Sequence, residues 1–276
     1  MRILITSGGT KVPIDMVRDI TNLSHGTFGA DIAHVALENG HQVDFLYAKH
    51  SKTPFSHNFN FYHTQTTDLP PCFFEDEYHE AHEKFMKLYG FTVEHVDDYR
   101  EFKYRNFDDY ARQLKDLIHI TRPDAIILAA AASDYSVTNY VGGKIRSGDD
   151  YNITLSPVQK LIRLIKQWHP DCVLTGFKLL VNSEQEDLIQ AAYDSIEKNH
   201  CDLVVANDLR DIKQNNHKLF IVDQDGVSEH SKMDSLPDAD DECWYEEIDD
   251  LHLAKQVVAR TEKAWKEKFS SESPEA

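Results

Sequence analysis

Short apolar runs alternate with helical stripes along this chain, the pattern of strands alternating with helices. Ile3-Leu4-Ile5 predicts a buried first strand. Ala30, Ile32, Ala33, Val35, Ala36 and Leu37 recur at helical spacing, and Val43-Asp44-Phe45-Leu46-Tyr47 predicts a second strand, so residues 3–47 read as one βαβ unit. Periodicity is lost from Lys49 to about Thr67, and Pro70-Pro71 breaks the chain, which predicts a loop over the active face or an insertion. Phe74, Tyr78, Ala81, Phe85 and Leu88 then predict an amphipathic helix ended by Gly90, and residues 91–96 alternate as a strand. The next helix runs from Asp108 onward through Tyr110, Leu114, Leu117 and Ile118.

The strongest buried strand, Ala125-Ile126-Ile127-Leu128-Ala129, follows Pro123. A helix from Val158 to Trp168, a strand from Cys172 to Phe177, a helix from Leu188 to Lys198 and a strand from Asp202 to Asn207 repeat the alternation. Lys218 to Val222 with the turn Asp223-Gln224-Asp225-Gly226 predicts a hairpin, an antiparallel edge or a dimer contact. A final helix is expected from Leu251 to Lys268. The fold class is therefore α/β, a mostly parallel sheet flanked by helices, with an inserted segment and a C-terminal hairpin arm. We expect one domain over 1–269, with 70–106 as the insertion and 207–230 as the arm, followed by a disordered Ser/Glu/Pro tail at 270–276.

Candidate chemistry sits at strand ends. Ser7-Gly8-Gly9-Thr10 follows the first strand and Gly26/Gly29 open the first helix, separated by a polar loop of about sixteen residues. Glycines admit close backbone approach and a helix start favours an anion, so the two clusters point to a phosphate site. The spacing is neither the dinucleotide fingerprint nor a P-loop, which disfavours a nicotinamide-dependent reductase. Ala130-Ala131-Ala132 leaves room at a strand's carboxyl edge, with Ser133 and Asp134 next and Lys144 ten residues beyond Asp134 in a Gly-Gly-Lys-Ile-Arg loop.

Composition narrows the partners. With 276 residues, 41% of them hydrophobic, the chain can build one substantial core. Twenty-nine basic against forty-seven acidic residues give a formal charge of −18, which argues against nucleic acid and against an anionic membrane. The acidity concentrates at 234–250, read as solvated surface. No signal-type h-region and no long apolar run is present, so a cytoplasmic protein is expected. Cys72, Cys172, Cys201 and Cys243 form no C-x-x-C pair and the fifteen histidines no metal-ligand spacing, so no protein-bound metal is expected.

Ser7-Gly8-Gly9-Thr10, Ile14-Asp15, Val17-Arg18, Ile20, Asn22, Ser24, Gly26 and Gly29 together resemble the opening motif of phosphopantothenoylcysteine synthetase. Ala130 to Tyr135, Lys144-Ile145-Arg146 and Asp202 to Asn207 resemble three further blocks of that family in the same order, over about Arg2 to Asp208. The resemblance implies a Rossmann-like fold, a homodimer and a two-step ligase reaction of coenzyme A biosynthesis. In it the carboxylate of 4′-phosphopantothenate attacks the α-phosphate of ATP or CTP, and the amine of cysteine then displaces the nucleotide. Mg²⁺ would accompany the triphosphate, held mainly by phosphates and water.

By the same resemblance Asn22 would contact the pantothenoyl carboxylate or acyl phosphate, Ala130 and Ala131 would give close backbone contacts, and Asp134 would hold the pantothenoyl chain. Lys144 would stabilise phosphate charge, Arg18 would reach the substrate phosphate, and Gly9, Ser24, Gly26 and Gly29 would line the triphosphate path. Phe177 would pack on the base or ribose and Asn207 would bond the nucleotide. Singly, Lys144 reads equally as a loop lysine, Phe177 as core packing and Asn207 as a turn residue; their joint occurrence at strand ends carries the argument. The chain departs from the family at His25, at Thr27 where a lysine is usual, and at Leu179-Leu180-Val181 where an acidic residue is expected. These departures leave a non-catalytic binding protein of the same fold as the alternative. Residues 45–57 and the insertion resemble the stand-alone eukaryotic type, which leans toward ATP.

Overall fold

The computed structural model describes residues 1–54, 98–148, 150–213, 217–231 and 245–270. Its centre is an eight-stranded sheet in the order β12-β11-β10-β9-β6-β1-β4-β5. Here β1 is Arg2–Ser7, β4 Gln42–Ala48, β5 Tyr99–Tyr104, β6 Ala125–Leu128, β9 Val173–Leu180 and β10 Leu203–Asp208. These six are mutually parallel, while β11 (Lys218–Asp223) and β12 (Gly226–Ser231) add an antiparallel hairpin at one edge. Strand order reverses at β1: the chain leaves it to β4 and β5 on one side and returns to β6, β9 and β10 on the other. A crevice at the carboxyl ends of β1 and β6 is where such a sheet takes its ligands.

Both faces of the inner strands are buried, which is why they read as continuous apolar runs. Ile3, Ile5, Val43, Phe45, Ile127, Val173, Leu203 and Val205 pack on one face against α1 (Thr27–Glu38) and α6 (Tyr245–Ser270), through Ile32, Ala33, Ala36, Leu253, Val257 and Val258. Leu4, Leu46, Ile126, Leu128, Leu174 and Val204 alternate onto the other face. There they meet α2 (Phe107–Thr121), α3 (Ile162–Trp168) and α4 (Gln185–Asn199), through Leu114, Ile118, Ile165 and Leu188. Each fully buried Leu or Ile contributes about 1.5–3 kcal/mol. A short α5 (Leu209–Lys213) follows β10. Local signals set the helix ends: Asn106 caps α2 by accepting from the Asp109 N–H, and Arg122 in the left-handed region, followed by Pro123, stops it.

Several boundaries differ from the pattern-based expectation. The first-strand-to-helix loop folds into an antiparallel ribbon, β2 (Lys11–Pro13) with β3 (Asp19–Thr21), and β7 (Tyr135–Val137) pairs with β8 (Leu155–Pro157) in a second ribbon. Three-residue strands are too short to show periodicity. β9 extends to Leu180, so Phe177 lies inside the strand and not at its carboxyl end. Tyr99–Tyr104, expected within the 70–106 insertion, is a strand of the main sheet. The hairpin at 218–231 is built into the sheet through β10–β11 pairing. The expected helix at 73–89, the strand at 91–96, the acidic run at 234–244 and the tail from 271 lie outside the described residues. No described helix is long and apolar enough to cross a membrane.

Candidate active site

The β1 end is wired by buried polar groups. Ser7 Oγ donates to the Gly26 carbonyl at 2.9 Å, Tyr104 OH donates to the Ser7 and Gly8 carbonyls at 2.7 and 3.0 Å, and Thr6 Oγ1 accepts from the Ala130 N–H at 3.2 Å. Burial raises the Tyr104 phenol, which stays neutral and donating. Across the β1/β6 crevice Ala131 N–H donates to the Gly8 carbonyl at 2.9 Å, Thr10 N–H donates to the Ala131 carbonyl at 3.2 Å, and Ser133 N–H donates to Thr10 Oγ1 at 2.8 Å. Asn22 Nδ2 donates to the same Ala131 carbonyl at 2.8 Å. Asn22, Gly9, Ala130 and Ala131, four of the residues expected at the site, therefore meet at the crevice.

Gly26 precedes α1 with φ +75°, and a Cβ there would lie 2.7 Å from Ser7 Oγ; one on Gly29 would lie 2.5 Å from the same atom. Only glycine lets the helix start this close to the strand end. No side chain caps α1 and no acidic residue sits in its first turn, in contrast with α2 and its Asp108 and Asp109. Beside this helix start lies a cavity of about 450 Å³ whose lining includes Gly9, Asn22, Ser24, Lys49, His50 and Arg105.

A second group forms on the far side of α1. Phe28 packs edge-on to Phe177 at 6.1 Å and to His217 at 5.3 Å, and Asn207 Nδ2 lies 3.4 Å from His217 Nε2. Phe177 and Asn207 are thus brought together, with Phe28 and His217 as neighbours that sequence reasoning missed. His217 immediately precedes β11, which pairs with β10, so only sheet order could reveal it. Next to Asn207, Asp208 accepts from the N–H groups of Asn182, Ser183 and Arg210 and from Ser183 Oγ. Burial alone would raise its carboxyl, but those donors hold it well below the usual carboxylate range.

The lysine loop is fixed by a buried carboxylate. Asp15, 2% exposed, accepts from the N–H groups of Val17 and Arg18 at 2.7 and 2.8 Å and from that of Ile145 at 3.1 Å. Arg18 Nη1 lies 2.5 Å from Asp15 Oδ2 and 3.4 Å from the Ile145 carbonyl. Burial works to raise Asp15, yet the three N–H donors and the guanidinium lower it to about 2. Arg18, expected to reach a substrate phosphate, is half-engaged inside its own chain, with its side chain 44% exposed. Lys144 stands on the clamped loop, exposed, and its amine has no recorded partner among the described residues. It is absent from the cavity lining. Asp134 is exposed and ion-paired to Lys160, a residue no motif flagged.

A larger cavity of about 610 Å³ opens at the opposite, amino-terminal end of the strands. Its cations are already matched, Arg260 to Asp223 at 2.5 Å, Lys263 to Asp225 at 2.6 Å and Lys268 to Asp202 at 3.4 Å. An incoming anion would have to displace a carboxylate, so the smaller cavity at the strand ends is the better site.

Comparison with known proteins identifies the family. The family model of the DNA/pantothenate metabolism flavoprotein C-terminal domain matches residues 1–69 and 109–241. The chain is 32% identical to the phosphopantothenate–cysteine ligase of Homo sapiens, over 81% of this chain and 76% of the relative. It is 29% identical to the coenzyme A biosynthesis bifunctional protein CoaBC of Thermococcus kodakarensis over 84% of this chain, and spans about half, 47%, of that relative. The solved structure of a Cab2 mutant in complex with phosphopantothenate-cysteine aligns with TM-score 0.70 and 25% identity, covering 95% of this chain and 87% of that one. The chain belongs to the family of the DNA/pantothenate metabolism flavoprotein C-terminal domain, the family of the phosphopantothenate–cysteine ligases.

Proposed function

We propose that this protein is a phosphopantothenate–cysteine ligase that joins 4′-phosphopantothenate to L-cysteine at the expense of ATP or CTP, as a cytoplasmic enzyme of coenzyme A biosynthesis. The observation that carries the reading is the meeting of Asn22, Gly9 and Ala131 across the β1/β6 crevice, beside the uncapped start of α1. In the first step a carboxylate oxygen bonds to the α-phosphorus while the bond from that phosphorus to the bridging oxygen breaks, releasing pyrophosphate. In the second the cysteine amine attacks the acyl carbon, the nucleoside monophosphate leaves and the amine loses a proton.

Asn22 and the Ala130–Ala131 backbone orient the carboxylate, Asp134 holds the pantothenoyl chain, and Lys144 meets the charge that develops on phosphate oxygens. A cation preorganised for developing charge is among the largest contributions to such a step. The nucleotide base or ribose packs on Phe177 with Asn207 as its hydrogen-bond partner, and the triphosphate runs past Gly9, Ser24, Gly26 and Gly29. Among the described residues no group of three His, Cys, Asp or Glu side chains could hold a metal ion. Mg²⁺ would arrive on the triphosphate, with its charge neutralising the phosphates.

The homodimer is supported by exposed apolar side chains on the two ribbons: Met16 and Val17 are 72% and 64% exposed, and Tyr135 and Leu155 are 50% and 46% exposed. β2 and β7 are in contact, so these side chains belong to neighbouring ribbons of a kind that subunits bury. Arg18 stands beside them and would reach the partner's substrate phosphate.

The test is pyrophosphate release by purified protein with 4′-phosphopantothenate and Mg²⁺, with and without cysteine, comparing ATP with CTP. The expected result is turnover to phosphopantothenoylcysteine, reduced about 10²–10³-fold by Lys144→Ala. Nucleotide binding without any release would overturn the ligase reading.

A further inference from the structure

The cavity beside Gly26 inverts the charge of the molecule. The chain carries −18 overall, yet the side chains lining this cavity include Lys11, His25, Lys49, His50 and Arg105 against the single carboxylate of Asp19. Asp19 is itself matched by Lys11 at 3.6 Å. Lys49, His50 and Arg105 are exposed, and their side chains have no recorded hydrogen bond or ion pair with any described residue. The unmatched charges of Lys49 and Arg105 on an acidic protein repel one another, a polyanion relieves that repulsion, and His50 beside them can donate a hydrogen bond to it.

Sheet register explains how they come together. In the parallel β4–β5 ladder Tyr47 pairs with Lys103 and Ala48 with Tyr104, and the Lys49 N–H donates to the Tyr104 carbonyl at 3.1 Å. Lys49 and Arg105 are therefore the first residues past the carboxyl ends of neighbouring strands. The turn after β4 is tied to the glycine loop, since the Lys52 N–H donates to the His25 carbonyl at 2.9 Å. A Cβ on Gly26 would also come within 2.8 Å of Ser51 Cβ. The cationic wall thus lies on the β4/β5 flank of the α1 start, and the Phe28–Phe177–His217 group lies on the β9/β10 flank.

We infer that Lys49, His50 and Arg105 form the subsite for the β- and γ-phosphates of the nucleotide, and so for the pyrophosphate that leaves. This rests on the ligase reading for the identity of the ligand. A nucleotide with its base at Phe177 and its α-phosphate at the α1 start directs its terminal phosphates at this wall. As the bond between the α-phosphorus and the bridging oxygen breaks, the electron pair goes to that oxygen, and the new charge on pyrophosphate falls to these cations.

The experiment measures binding of inorganic pyrophosphate by calorimetry, and steady-state turnover, in wild type, Lys49→Ala, Arg105→Ala and the double variant. Lys198→Ala, on the C-terminal end of α4 and paired to Asp194, serves as control. The expected result is pyrophosphate affinity at least tenfold weaker in the double variant, a KM for the nucleoside triphosphate raised by a similar factor, and an unchanged KM for cysteine. The melting temperature should hold, because both side chains are exposed. Turnover in all variants with unchanged pyrophosphate affinity overturns the subsite and leaves the ligase reading intact. Loss of pyrophosphate affinity in the variants of a protein that shows no turnover supports the subsite and overturns the ligase reading.

Discussion

At the scale of single residues, Asp15 is the most consequential group that motif reading left without a role. Its carboxylate joins the β2–β3 ribbon to the loop that carries Lys144. Because burial is outweighed by its N–H donors and Arg18, it titrates at about 2 in place of 3.8. A lowered carboxyl stabilises the folded arrangement fully above the ordinary value and loses that contribution as pH falls through the lowered one. The protection of the Ile145 amide, taken relative to its intrinsic exchange rate at each pH, should therefore fall as pH drops from about 4 toward 2 in wild type. In Asp15→Asn that protection should already be low at neutral pH and should not change across that window, and kcat should fall more than the KM for cysteine rises. Gly26 gives a sharper test of the helix start. Gly26→Ala places a side chain at φ +75° and within 2.7 Å of Ser7 Oγ, so a loss of at least about 1–2 kcal/mol is expected in denaturant unfolding.

At the scale of elements, what could be read in advance follows burial. Strands buried on both faces, such as β6 and β10, show as Ala125 to Leu128 and Leu203 to Ala206 because every position excludes water. β5 was not legible, since Tyr99-Arg100-Glu101-Phe102-Lys103-Tyr104 carries charge at three of its six positions, two of them adjacent, and sits at the sheet edge. Its burial is completed by pairs: Arg100 to Asp44 at 2.6 Å, and Tyr104 to the Ser7 and Gly8 carbonyls. Tyr104→Phe keeps the ring and removes the only hydroxyl donor those bonds use. It should cost about 1–3 kcal/mol, read as a lower melting temperature, with a raised KM for nucleotide because the glycine turn loosens. The candidate site was legible where it is built from backbone and small residues at strand ends, as at Gly9 and Ala131, which lie side by side. Phe28 and His217 were not, because they come from elements far apart in sequence.

At the scale of the whole molecule, the proposed dimer rests on the two ribbons and their exposed apolar side chains. Val17→Asp, at the tip of the first ribbon and 64% exposed, should leave the fold and melting temperature of the subunit intact. In sedimentation it should shift the protein from twice the chain mass toward 31.8 kDa, with activity falling as the dimer is lost. A wild-type protein that sediments at the single-chain mass at working concentration would sink the dimer proposal.

The sequence by itself determined the alternation of strands and helices, the glycine-rich end of β1 and the family, because core burial and tight turns act on neighbouring residues. Tertiary structure alone decided which residues face one another. Sheet order set Phe177 and Asn207 beside Phe28 and His217, and strand register set Lys49 beside Arg105. A buried carboxylate bound residues 15 and 145 into one clamp. Such pairings join positions up to about two hundred residues apart, and their contacts must offset the entropy lost in closing the chain between them, which no local pattern records.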